Sequence, residues 1–141
     1  MNINECKQQG FIRHTQPNTH KAKSLMEISD IKEKTIHSAE FNDENVNAYL
    51  PLAYDSLREM LEALCLIFGY NVTNHICLGE LVKDLIKNFD YVSFDRFRYV
   101  RNGINYYGKK IGFEDGKEII RKIFEMRKVI KKEVNARIMH K

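Results

Sequence analysis

The side chains best suited to chemistry gather between Phe94 and Gly108, where the chain reads Phe-Asp-Arg-Phe-Arg-Tyr-Val-Arg-Asn-Gly-Ile-Asn-Tyr-Tyr-Gly. Arginine supplies a permanently charged, planar fork that matches phosphate oxygens. Tyrosine adds a hydroxyl and a ring on which a nucleic-acid base can stack. The spacing predicts a helix on which Arg101 lies one turn from Phe97, Arg98, Ile104 and Asn105, at the border of the core-facing stripe. A guanidinium there must find hydrogen-bond partners, because it cannot shed its proton and is costly to bury alone. Asn102, Asn105, Tyr106 and Tyr107 are the candidates. Residue types alone allow two readings, a polar knot that fixes packing or a phosphate site centred on Arg101. Arg96, Arg98, Lys109 and Lys110 flank the stretch. With Tyr99, Tyr106 and Tyr107 they could offer single-stranded RNA a basic, aromatic surface, or simply form a solvated charged face.

Other groupings say less. Cys6, His14 and His20 match no zinc spacing and lack a fourth ligand, so no metal is expected. His75 opens a helix and reads as a cap or packing residue, and Cys65 sits in an apolar run and reads as core. The chain has no glycine-rich phosphate loop, nucleophile elbow or His-Glu metal pair, so no cofactor is expected.

The elements that position these residues read as helices. A chain of 141 residues can bury a core of its own as one domain. Apolar positions recur at steps of three and four, with only two prolines, which predicts an all-α, up-and-down bundle of about five to six helices over residues 1–141. A first helix from Ile3 to near Gln9 is closed by Gly10, Phe11 to Pro17 form a connector, and Asn18 or Thr19 caps the second helix. The strongest stripe, Leu50, Ala53, Leu57, Met60, Leu61, Leu64, Ile67 and Phe68, marks the central packing helix. Pro51 requires that it start near Tyr49, or near Asp43 with a kink. After Gly69, the loop Tyr70 to His75 offers Thr73 or Asn74 as a cap. Ser93 is the expected cap of the helix carrying Arg101, with Asp95 in its first turn. Gly108 and Gly112 break the pattern before a last helix from Phe113 to about Met139.

Charge and cysteine usage narrow the setting. The first 70 residues hold 7 Lys and Arg against 10 Asp and Glu, and the remainder hold 16 against 9, so the second half permits a polyanionic partner. Three cysteines without paired spacing fit a reducing compartment better than a disulfide framework. With no signal-like start and no apolar run of 18 residues, a cytoplasmic protein with no membrane association is expected.

The order of elements, together with Arg101-Asn-Gly-Ile-Asn-Tyr-Tyr-Gly108 on the penultimate helix, resembles the HEPN superfamily of small helical bundles from prokaryotic toxin–antitoxin and defence systems. Further similarity lies in Ile3 to Gly10 leading into Phe11-Ile-Arg13, in Ala53-Tyr-Asp-Ser-Leu-Arg58, and in Gly69-Tyr-Asn-Val-Thr-Asn-His75. Active members of that family pair an arginine with a histidine four to six residues later and cut RNA without a metal across a homodimer. The chemistry needs a guanidinium to hold the phosphate and a group titrating near neutrality to move the 2′-hydroxyl proton. Arg101 matches the first. The second role falls on Tyr106, Tyr107 or Gly108, and the next histidine is His140. A phenol, with an ordinary pKa of about 10, is a poor base at neutral pH.

The resemblance therefore implies a homodimeric nucleotide- or RNA-binding protein with weakened or absent nuclease activity and a nucleotidyltransferase-like antitoxin as partner. One alternative is a metal-independent endoribonuclease with Arg101, Asn102 and Tyr106 as its catalytic set. Another is a non-catalytic dimer in which the cluster only packs. Arg101 and Tyr106 lie about 140° apart on an ideal helix, so they are expected to converge only if the helix loosens at Gly103 or a second copy contributes.

Overall fold

The computed structural model describes residues 1–139, so His140 and Lys141 lie outside it. Among the described residues the chain forms α1 (Ile3–Gln8), β1 (Ile12–His14), α2 (Thr19–His37), α3 (Val46–Ile67), β2 (Tyr70–Val72), α4 (His75–Leu85), α5 (Tyr91–Tyr107) and α6 (Phe113–Met139). Six helices around one continuous apolar core make this an all-α bundle, as the periodicity predicts.

The helix α3 is the axis of the fold, packed chiefly between α2 and α6. Its predicted stripe is buried from Leu50 to Ile67, with Phe68 partly buried as the C-cap, and Tyr54, Ser56, Glu59, Ala63 and Cys65 are buried on other faces. Burial nearly all round follows from helices on both sides. Glu59 lies inside with Lys32 Nζ 2.9 Å from its Oε1, a charge contact rather than an aligned hydrogen bond. Neither predicted start of this helix is observed. It begins at Val46, after a turn ordered by Asn42 and Asn45, and Pro51 lies inside it, leaving the Asn47 carbonyl without its usual donor.

Two other expectations change. The connector after Gly10 and the loop after Gly69 pair as a short antiparallel ladder, Ile12 opposite Val72 and His14 opposite Tyr70. Three-residue strands are too short to show a period of two, and the partners lie far apart in sequence. Gly69 makes the approach feasible: its φ is +86°, and a Cβ there would stand 3.0 Å from the Thr15 carbonyl oxygen. Cys6 and Cys77, taken as unpaired from their spacing, form a disulfide that joins α1 to α4, with both cysteines fully buried. A separation of 71 residues gives no local signal of that pairing. It removes the cysteine argument for a reducing compartment, and it leaves Cys6 unavailable to a metal. No helix among the described residues is long and apolar enough to cross a membrane.

Capping explains where α5 is held. Asp90, not Ser93, caps it by accepting from the Ser93 amide and hydroxyl, and Asp95 pairs with Arg98 instead of serving the first turn. Gly108, at φ +62°, closes the helix. The α5–α6 connection is then tied to α3, because Asn47 both accepts from the Ile111 amide and donates to its carbonyl. At the other end α5 nestles against α4, where a Cβ on Gly79 would come within 2.9 Å of the Phe94 ring.

Candidate phosphate-binding site

Arg101 emerges from α5 half-buried, at the edge of the core where the sequence places it. Its Nη1 donates to Asn102 Oδ1 at 3.0 Å and to the Tyr106 hydroxyl at 3.2 Å, and its guanidinium lies 5.4 Å from the Tyr106 ring centroid. Arg101 and Tyr106 therefore meet within one chain and without a break in α5, contrary to the geometric expectation. Angles measured at the backbone do not constrain two side chains of this length. Asn105 and Tyr107 are exposed and make no hydrogen bond with Arg101.

The partners of Arg101 are all neutral. Arg58 and Arg98, its near neighbours in charge, are answered by Glu62 and Asp95 at 3.0 and 2.8 Å. Arg101 makes no ion pair among the described residues, its Nε is buried without a partner, and its Nη2 has none either. A guanidinium with surplus charge and free donors is a receptor for an oxyanion.

Two residues that sequence reasoning did not place at this site complete it. Tyr54 of α3 is fully buried beneath Arg101, whose Cζ stands 5.5 Å from the phenol centroid, and it stacks against Phe94. Its hydroxyl lies 3.2 Å from Nδ1 of His75, the first residue of α4. Burial drives the Tyr54 hydroxyl above its ordinary range, with the arginines opposing, so it stays protonated. Burial also pushes His75 down, to about 4, and Arg58 and Arg101 add repulsion, so this imidazole is neutral near pH 7. The site thus draws on α3, α4 and α5. The one sequence signal was a tyrosine beside a buried stripe, whose hydroxyl needs a partner somewhere.

The remaining candidates do not converge on one face. Arg96, Tyr107, Lys109 and Lys110 are exposed, none of them hydrogen-bonds Arg101, and the two lysines lie beyond the end of α5. Exposed Val92, Tyr99 and Tyr106 recur every seven residues and form an apolar strip that meets the Arg101 cluster at Tyr106. Grooves beside α6, one floored by Phe41, Phe113 and Phe124 and the other by Phe97 and Ile130, include none of the Arg101 cluster. The candidate site is an open surface cluster rather than a closed cavity. No family model, curated protein or solved structure matches the chain.

Proposed function

We propose that this chain is a HEPN-like protein that binds a nucleotide or RNA through phosphate contacts at Arg101, within a toxin–antitoxin or defence system, with nuclease activity weak or absent. The observation that carries the reading is a half-buried guanidinium with free donors and no carboxylate to neutralise it. The exposed Tyr106 ring beside it supplies a surface for base stacking. The Val92, Tyr99 and Tyr106 strip is also where a second copy would pack to form a homodimer in the cytoplasm, with a nucleotidyltransferase-like antitoxin as the further partner. Fluorescence titration of short RNAs and nucleotides tests this. Saturable binding by the wild type, lost in Arg101→Ala, is expected; absence of binding by either protein removes the nucleic-acid role.

One contact favours a second reading. The Tyr106 hydroxyl lies on Arg101 Nη1, where the arginine-to-histidine pair of an active nuclease would need its second group. RNA cleavage that survives EDTA, leaves a 2′,3′-cyclic phosphate and disappears in both Arg101→Ala and Tyr106→Phe would establish an endoribonuclease.

A further inference from the structure

A buried phenol must donate its hydroxyl hydrogen, and for Tyr54 the acceptor within reach among the described residues is His75 Nδ1 at 3.2 Å. A neutral imidazole that accepts at Nδ1 carries its hydrogen on Nε2. That nitrogen has no partner among the described residues and is not a buried orphan, so on a half-buried ring its N–H is open to solvent. The phenol that fixes the tautomer also lies under Arg101, with the guanidinium 5.5 Å and the imidazole centroid 5.7 Å from its ring centroid. Two donors from different helices therefore neighbour one buried phenol, Arg101 at its ring and His75 at its hydroxyl.

We propose that Tyr54, His75 and Arg101 form a composite site for a phosphoryl group, in which Arg101 supplies charge, His75 donates through Nε2–H, and Tyr54 is the positioning residue for both. The inference rests on the reading of Arg101 as an oxyanion receptor and deepens it: His75 acts as a neutral donor and not as the proton acceptor of a nuclease. Neutral His75 also accounts for a site that concentrates arginines without adding another repelling charge in the free state.

Occupancy changes that balance. The groups acting most strongly on His75 are Arg58, Asp55 and Tyr54 on α3 and Arg98 and Arg101 on α5. Glu5 and Lys7 of α1, and Arg13, His14 and Tyr70 of the two strands, are the titratable side chains of the other elements that touch α4. A bound phosphate offsets the arginine repulsion, so the loaded site takes up a proton at His75 more readily than the free one. For the RNA probe, whose phosphodiesters keep their charge throughout this range, affinity should then rise as the pH falls from 7 toward 5.

Nitrogen-15 NMR of the histidine rings, with the His75 signals identified by their loss in His75→Gln, reads the tautomer and titration directly. Three probes separate the sources of the phosphoryl group: a short RNA without terminal phosphates, uridine 5′-monophosphate, and inorganic phosphate. The expected results are the Nε2–H tautomer in the free protein, an upward move of the His75 titration on binding, and affinity about fivefold to tenfold weaker in His75→Gln and Tyr54→Phe. Similar affinity for all three probes marks a phosphate-ion site, and tighter binding of the RNA marks a nucleic-acid site. An Nδ1–H tautomer overturns the proposal whatever the folding of Tyr54→Phe. Binding lost in Arg101→Ala but unchanged in His75→Gln sinks the composite site and leaves the Arg101 reading standing. Equal binding by wild type and Arg101→Ala, or none by the wild type, removes both.

Discussion

Two arginines at the margin of the core show how differently one side chain can be used. Arg127 of α6 is 3% exposed and its terminal nitrogens are saturated by α2: Nη1 donates to Ser29 Oγ at 3.0 Å and to Asp30 at 2.8 Å, and Nη2 to Glu33. Burial works against the Asp30 charge, yet hydrogen bonds from Arg127 and Lys131 hold its carboxyl below the usual range. Arg101 also leaves Nε unpartnered, but its Nη1 meets only neutral oxygens and its Nη2 meets none. The first guanidinium is neutralised by the fold and the second is left charged at the surface. A guanidinium that the fold does not neutralise stays ready for a ligand, and this contrast, rather than the number of basic residues, separates brace from site.

The contrast predicts unequal stability effects, the largest at Arg127. Arg127→Ala takes the guanidinium from Glu33 and leaves Asp30 to Lys131 alone, and should cost about 3 kcal/mol. For a domain of this size that lowers the melting temperature by roughly 10 °C, read by circular dichroism. Arg101→Ala should shift it by far less. A large loss at Arg101 and a small one at Arg127 would invert the comparison and return the Arg101 cluster to a packing role.

The next effect lies at the disulfide, which anchors α1 to α4 two residues beyond His75. Closing a loop of this length is worth about 2–4 kcal/mol. Cys6→Ser, or reduction of the wild type, should therefore lower the denaturation midpoint. Because Cys77 shares the first turns of α4 with His75, it should also weaken any ligand held by His75 while sparing contacts made by Arg101 alone. Unchanged stability on reduction would show that the bridge does not tie α1 to the bundle in solution.

The sequence was legible where signals are local and repeated. The Leu50 to Phe68 stripe, Gly10, Gly69 and Gly108 as helix ends, and the span Phe113 to Met139 could all be read from spacing. Signals that depend on partners distant in sequence could not. Cys6 with Cys77 and Ile12 with Val72 become neighbours only once the bundle closes. The candidate site divides the same way. Arg101 and its contact with Asn102 lie within one helix and were within reach, the contact with Tyr106 was expected only with a loosened helix or a second copy, and Tyr54 and His75 arrive on two other helices. His75 read as a cap because its distinguishing neighbour, a buried phenol, is 21 residues away.

At Arg101 the effect should appear in binding rather than in folding. Charge-assisted hydrogen bonds contribute about 1.5–3 kcal/mol, so Arg101→Ala should weaken a phosphate-bearing ligand by roughly tenfold to a hundredfold. Arg101→Lys keeps the charge but loses the planar fork and should recover only part of that loss. Full recovery by lysine would mean that a diffuse basic surface, and not this guanidinium, holds the ligand. Arg98→Ala supplies the control: its charge is already answered by Asp95, and binding should change little.

The smallest effect is the most diagnostic, because it reports on His75 without a ligand. In the folded chain His75 is held at about 4, chiefly by burial and then by Arg58 and Arg101, against an ordinary value of 6.5. Between those values the unfolded chain binds a proton that the folded chain refuses, so stability must fall as the pH drops from 6.5 toward 4. The ring is only half-buried and solvent screens its charge, which limits the effect to about 1 kcal/mol. Melting curves at pH 7, 5.5 and 4.5 should show this loss in the wild type, with a shallower slope in His75→Gln. Arg101→Ala should also shallow it by removing one of the repelling charges, whereas Arg127→Ala, on the far brace, should leave the His75 contribution in place. If Arg101→Ala and Arg127→Ala change the slope equally, the two arginines do not act on separate electrostatic neighbourhoods, and the distinction between brace and site fails at its root.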